Sequence, residues 1–152
     1  MVYADTSALV KLVIAEAGST EMAGLGDDLE VLACANVGYA ELRAAVAAAQ
    51  RAGRLPGTAF TQAKRQLERV WSSTSPVVVD MAAVRRAGDL AEEHALRGYD
   101  AVHLAALQRL GPPSRVDRVA CWDSELRRAA ATLGYRLLPE HLAEPAADAP
   151  GE

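Results

Sequence analysis

Aromatic residues make up only 5% of this 152-residue chain. A core stacked from rings is thereby excluded, and one built from Ala, Leu and Val is expected. Cysteine is scarcer still. Cys34 and Cys121 sit in separate apolar stretches with no paired spacing. They read as small buried hydrophobes of a reduced protein, not as a disulfide framework or a zinc site. Lysine occurs only at positions 11 and 64, and the net charge is −4. That excludes a generally basic surface as the means of holding nucleic acid, though not a local arginine patch. No apolar run approaches the ~20 residues of a membrane span. Asp5, Lys11 and Glu16 break the first apolar stretch, which is therefore no secretory leader. A soluble, cytoplasmic protein is expected.

What is present is an ordinary globular balance of 51% apolar and 24% charged residues, rich in alanine, a strong helix former. The length suits one domain, which we place at residues 1–142. The tail 143–152, made of Ala, Pro, Asp, Glu and Gly, is expected to be disordered.

Short strands are expected at Val2–Ala4, Glu30–Ala33, Val77–Val79, Arg118–Trp122 and Tyr135–Leu138. The run Val77–Val79 suggests a strand covered on both faces, preceded by a loop at Ser73–Pro76. Helices are expected over Ala8–Ala17, from Ser19 to about Gly24, from Asn36 to Ala52, and over Thr58–Ser72. Others follow at Met81–Leu96, Asp100–Leu110 and Ser124–Leu133. Thr6 or Ser7, Asp80 and Asp123 are the candidate caps. Alternation of strand and helix calls for an α/β fold, a three-layer α/β/α sandwich around a mostly parallel sheet.

Four acids stand apart from the rest. Asp5 follows the first strand, and carboxyl ends of strands line the crevice of such sheets. As a cap it duplicates Thr6 and Ser7. Glu41, at helical spacing from Val37, Ala44, Ala45 and Ala48, shares a face with apolar residues, where an unpaired carboxylate is costly. Asp100 and Asp123 each stand where a helix begins; each alone is as well explained as a cap. Taken together, the four could converge on one rim of the sheet. Ionised acids gathered there need a counter-charge, and no Lys or Arg adjoins any of them in sequence. A hard divalent cation, Mg²⁺ or Mn²⁺, suits an all-oxygen donor set. His94 and His103 are too few and too poorly spaced for zinc; helical packing or a role behind the ligands is expected of them. A metal so held polarises a phosphate and activates water, which points to phosphodiester hydrolysis.

Four segments carry a resemblance: Val2-Tyr3-Ala4-Asp5-Thr6-Ser7-Ala8-Leu9, Tyr39-Ala40-Glu41-Leu42, Tyr99-Asp100-Ala101-Val102-His103-Leu104-Ala105 and Cys121-Trp122-Asp123-Ser124-Glu125-Leu126. In this order they resemble PIN-domain proteins, most of all the VapC-type toxin ribonucleases of toxin–antitoxin pairs. The resemblance spans residues 1–139. It implies a PIN-like fold and metal-ligating acids at Asp5, Glu41, Asp100 and Asp123. It also implies a hydroxyl that helps hold metal-bound water, Ser7 or else Thr6. RNA is the implied substrate, with a second toxin subunit and a small antitoxin as the implied partners. The family commonly has Thr where this chain has Cys121, a poor substitute for a hydroxyl.

An inert scaffold of the same fold, acting through a partner complex, is the alternative. The four-acid set argues against it. A haloacid-type phosphatase would need Asp at position 7, which is Ser7. Arg43, Arg51, Arg54, Lys64, Arg65, Arg69 and Arg97 serve either as a phosphate track or as solvated helix faces. Lys11 faces either the mouth of the site or solvent. Tyr99 could stack on a base or pack in the core. For dimerisation the helices Val37–Ala52 and Thr58–Trp71 offer a surface, with Phe60 and Trp71 as anchors.

Overall fold

The computed structural model describes residues 1–25 and 31–142. The expected tail, 143–152, and the start of the strand expected at Glu30 lie outside those residues. Five strands form one sheet: β1 (Val2–Ala4), β2 (Leu32–Ala35), β3 (Thr74–Val77), β4 (Arg118–Ala120) and β5 (Leu137–Leu138). Their order is β3-β2-β1-β4-β5, and every pairing is parallel.

Side chains alternate across the sheet with the period of two that strands impose. Tyr3, Ala33, Ala35, Val119 and Cys121 enter one core. It is closed by α5 (Met81–His94), α6 (Gly98–Leu110) and α7 (Ser124–Thr132). Val2, Ala4, Leu32, Cys34 and Ala120 enter the other. That side carries α1 (Thr6–Leu9), α2 (Ser19–Ala23), α3 (Gly38–Arg51) and α4 (Thr58–Ser72). Both faces are covered, so β1 and β2 are buried along their length and β4 is buried after the exposed Arg118, and the expected three-layer sandwich is what forms.

Several local expectations give way. The strand placed at Val77–Val79 runs instead over Thr74–Val77, through the expected loop. β3 is an edge strand, where Pro76 needs no partner for a missing N–H, and Val78 beyond it is exposed. The first helix starts at Thr6, not Ala8, because Asp5 is its cap: Oδ1 accepts from Ala8 N–H at 3.0 Å. It then tightens into a 3-10 turn at Val10–Leu12 and ends well short of Ala17. Ala95, at φ 53°, ends α5 one residue before Leu96 turns back into the core. Gly98 therefore opens α6 rather than closing α5, and Asp100 lies within the first turn without capping.

Candidate active site

The strand order reverses between β1 and β4. In open parallel sheets this is where the two connections diverge and leave a crevice beyond the carboxyl ends. Asp5 follows β1 there, and Asp123 stands three residues past β4. Each caps the helix that follows, Asp123 by accepting from the N–H groups of Glu125 and Leu126 at 3.0 and 2.9 Å.

Asp5 is 4% exposed. Its carboxylate is held by the Ser7 hydroxyl at 2.7 and 2.9 Å and by the Cys121 thiol at 3.2 Å. Burial still pushes its pKa above the ordinary value, against the lowering effects of His103 and these bonds. Ser7 in turn accepts from Trp122 N–H at 2.7 Å, tying the loop after β1 to the loop after β4. Its proton is thus spent on Asp5. Cys121 fills the place where a hydroxyl was expected, and its thiol does bond Asp5. Burial pushes the thiol pKa far up, so it remains an S–H.

Glu41 does not lie on the sheet-facing side of α3. That side is Gly38, Leu42, Val46 and Ala49, while Ala44 and Ala48 are exposed. Glu41 sits one step round the helix, half-buried. Its Oε2 accepts from the Thr6 hydroxyl at 2.7 Å and pairs with His103 Nε2 at 2.8 Å. Burial raises its pKa, but the bond and charge of His103 and the Thr6 hydroxyl outweigh it and hold the carboxyl below the usual range. The approach of α3 depends on Gly38. A Cβ there would stand 2.6 Å from Cys34 Sγ.

His103 is buried on α6, three residues after Asp100 and so on the same face. Tyr3 Oη lies 2.9 Å from its Nδ1. Burial raises the Tyr3 pKa well above its ordinary value, so Tyr3 is a phenol where it bonds Nδ1, and Nε2 is turned to Glu41. The chain Tyr3–His103–Glu41–Thr6 links the buried centre of β1 to α6, α3 and α1.

Asp100 and Asp123 meet across Arg97. The guanidinium bonds Asp100 Oδ2 through Nε at 3.1 Å and Asp123 Oδ2 through Nη2 at 2.9 Å. Burial first, and then the charge of Asp123, raise the Asp100 pKa despite Arg97. Arg127, buried on α7, fixes the wall behind: it donates to the carbonyls of Cys121, Pro139 and Glu140.

Asp5 and Asp123 thus stand at the switch point, Asp123 is tied to Asp100 through Arg97, and Glu41 is tied to His103 on the same helix as Asp100. Among the described residues no three His, Cys, Asp or Glu side chains are gathered tightly enough to hold a metal ion as they stand. The donor chemistry nevertheless fits one. All four are hard oxygen donors, and two of them are pushed toward protonation, Asp5 by burial and Asp100 by burial and then by the charge of Asp123. In the sequence Arg97 reads only as part of a phosphate track or of a solvated helix face, and its two acids appear only in the fold. Arg127 carried no signal at all. Lys11 faces neither the mouth nor open solvent; it pairs with Glu16 at 2.8 Å and packs over Trp122. Arg43 pairs with Glu68 at 3.1 Å. Tyr99 is exposed, while Phe60 and Trp71 pack against the core of the α3–α4 side.

The PIN domain family model matches residues 2–130. Ribonuclease VapC45 and ribonuclease VapC49, from two strains of Mycobacterium tuberculosis, are each 41% identical over 142 residues, which is 93% of this chain and 97% of theirs. Two solved structures share the fold. The crystal structure of M. tuberculosis VapC20, a sarcin-ricin loop cleaving toxin, has a TM-score of 0.63 at 16% identity, covering 85% of this chain and 95% of its own. PAE2754 from Pyrobaculum aerophilum has a TM-score of 0.60 at 23% identity, covering 84% and 83%. The chain belongs to the PIN domain family, alongside the VapC ribonucleases.

Proposed function

We propose that this protein is a Mg²⁺- or Mn²⁺-dependent endoribonuclease that hydrolyses RNA phosphodiester bonds as the toxin of a toxin–antitoxin pair. The observation that carries the reading is that Asp5 and Asp123 follow β1 and β4 at the switch point, with Asp100 joined to Asp123 by Arg97 and Glu41 joined to His103 on the helix of Asp100. The likeness to the VapC ribonucleases over nearly the whole chain supports it.

Asp5, Asp100, Asp123 and Glu41 would hold the metal. When bound, it supplies Lewis-acid stabilisation of the phosphate and lowers the pKa of the attacking water. Asp5 is kept in place by Ser7, Cys121 and Ala8 N–H, so it needs no reordering before it acts. Glu41 is kept ionised by His103 and Thr6. A carboxylate of this group takes the proton of the attacking water, and the departing ribose oxygen takes up a proton as the bond breaks. Ser7 acts by positioning Asp5 and the Trp122 loop. No side chain forms a covalent intermediate.

The partners in this reading are the RNA, a small antitoxin and a second copy of the chain. Dimerisation through Phe60 and Trp71 is disfavoured by their packing. The exposed apolar residues Met81, Val84 and Tyr99 lie instead on the α5–α6 side, where a groove of about 320 Å³ runs between Val84, Gly88, Tyr99 and Val102. Among the described residues no helix is long and apolar enough to cross a membrane.

The test is cleavage of RNA by purified protein with Mg²⁺ or Mn²⁺, with EDTA, and after Asp5→Asn. Loss of cleavage with EDTA and in a folded Asp5→Asn protein is expected, by at least about a hundredfold for a group central to the transition state. Full-rate cleavage by Asp5→Asn contradicts the assignment. A folded wild-type protein that neither binds Mn²⁺ nor cuts RNA supports the inert scaffold.

A further inference from the structure

We propose that Arg97 is the resident cation of this centre, neutralising Asp100 and Asp123 in the metal-free protein and competing directly with the divalent ion for them. The inference rests on the metal-dependent reading above and deepens it by naming the residue that sets the metal affinity.

Three observations carry it. First, Arg97 is the one Lys or Arg among the described residues that is bonded to any of the four acids, and it takes two of them at once, from α6 and from the start of α7. Second, its side chain is 77% exposed while those of Asp100 and Asp123 are 17% and 22% exposed. The acids are fixed in the crevice wall and the guanidinium reaches in from solvent, so it can leave without disturbing the core. Third, the oxygens it bonds, Oδ2 of each acid, belong to the carboxylates a metal would need. The other carboxylate oxygen of Asp123 is already spent on helix N–H groups. A guanidinium and a divalent ion on that same Oδ2 repel each other, so the presence of one weakens the hold of the other.

The magnitudes permit exchange. An exposed ion pair shifts an equilibrium by no more than about fivefold, and Arg97 reaches its acids from the solvent side. A hard dication on clustered carboxylates gains far more. Arg97 therefore lowers the metal affinity without abolishing binding. It also spares the metal-free protein two acids repelling each other.

Two measurements on the full chain test this. In calorimetric titration with Mg²⁺, Arg97→Gln should bind about threefold to tenfold more tightly than wild type, the range expected from losing one or two exposed pairs. Arg128→Gln serves as the control. It removes a charge from α7 that bonds Glu125 and the His94 carbonyl rather than the four acids, and its affinity should stay near wild type. In nitrogen-15 spectra of the arginine Nε–H groups, with Arg97→Lys to assign the signal, the Arg97 resonance should move to the position of a solvated arginine with the same Mg²⁺ midpoint. Equal affinities for wild type and Arg97→Gln, or an Arg97 signal that stays put at saturating Mg²⁺, overturn the inference while leaving the metal reading intact. An equal gain in Arg128→Gln also overturns it, since general charge would then suffice. If neither wild type nor Arg97→Gln binds Mg²⁺ or Mn²⁺, the metal reading falls and this inference with it.

Discussion

Asp5 is at once a helix cap and a candidate metal ligand, and these roles are not rivals. The cap uses Oδ1, while Oδ2 is met by the Ser7 hydroxyl, which it shares with Oδ1, and by the Cys121 thiol, a weak donor that a stronger partner can displace. The same double use holds at Asp123. Tyr3 is the more unusual residue: a buried phenol whose hydroxyl serves the His103 ring. Tyr3→Phe leaves Nδ1 without that partner in an apolar surrounding and should cost about 1–3 kcal/mol. Chemical denaturation measures this, with RNA cleavage reduced but present because Glu41 keeps Thr6. A variant as stable as wild type would show that the Tyr3–His103 bond contributes nothing. Residue chemistry was the most legible level. The strand-end position of Asp5 and Asp123 marked them in the sequence, and the i, i+3 spacing of Asp100 and His103 was there to be read. The orientation of Glu41 was not, because an alanine-rich helix offers a poor contrast between its buried and exposed sides.

At the scale of elements, the misplacements share one cause. Local pattern does not say which strand lies at the edge. Val77–Val79 has the composition of a covered strand, yet the chain pairs β3 with β2 from Thr74 onward and leaves Val78 outside. Likewise Arg97 is three residues from Asp100 in sequence but meets Asp123 only because α6 and α7 pack side by side. Helix starts were read better. Asp80 caps α5 through Ala83 N–H at 3.0 Å and pairs with Arg109 at 2.8 Å. The cap bond first, and then Arg109, hold its pKa below the ordinary carboxyl value. A group with a depressed folded pKa adds stability above its unfolded pKa and loses it as pH falls through the folded one. Asp80→Asn should therefore melt below wild type at neutral pH. The gap should close below about pH 3.9, where Asp80 itself becomes protonated. Thermal melts from pH 7 to pH 2 check this; a gap that is constant with pH would mean the charge of Asp80 is irrelevant.

For the whole molecule, the parallel sheet decides the site. Strands in one direction leave all carboxyl ends on one rim, and the order β3-β2-β1-β4-β5 opens that rim between β1 and β4. Asp5 and Asp123 follow neighbouring strands there although more than a hundred positions separate them. The fold class was legible from the alternation of strand and helix, and the placing of these two acids at the ends of adjacent strands follows from it. The surface for self-association was not, since the large aromatics Phe60 and Trp71 turned inward. A dimer built on α5 and α6 predicts a particle of twice 16.1 kDa in light scattering. Met81→Arg should reduce it to the single-chain mass, because a charge in an apolar contact has no partner. A wild-type particle of single-chain mass at micromolar concentration would refute the dimer.

The central claim is that Asp5, Glu41, Asp100 and Asp123 form one metal centre. Manganese is visible by its anomalous scattering, so the most direct measurement is a crystal grown or soaked with Mn²⁺. Anomalous density inside the crevice, bounded by Asp5, Asp100 and Asp123 with Glu41 beside it, is the predicted result. Saturating Mn²⁺ with no density between these carboxylates, or with density only elsewhere on the molecule, would contradict it.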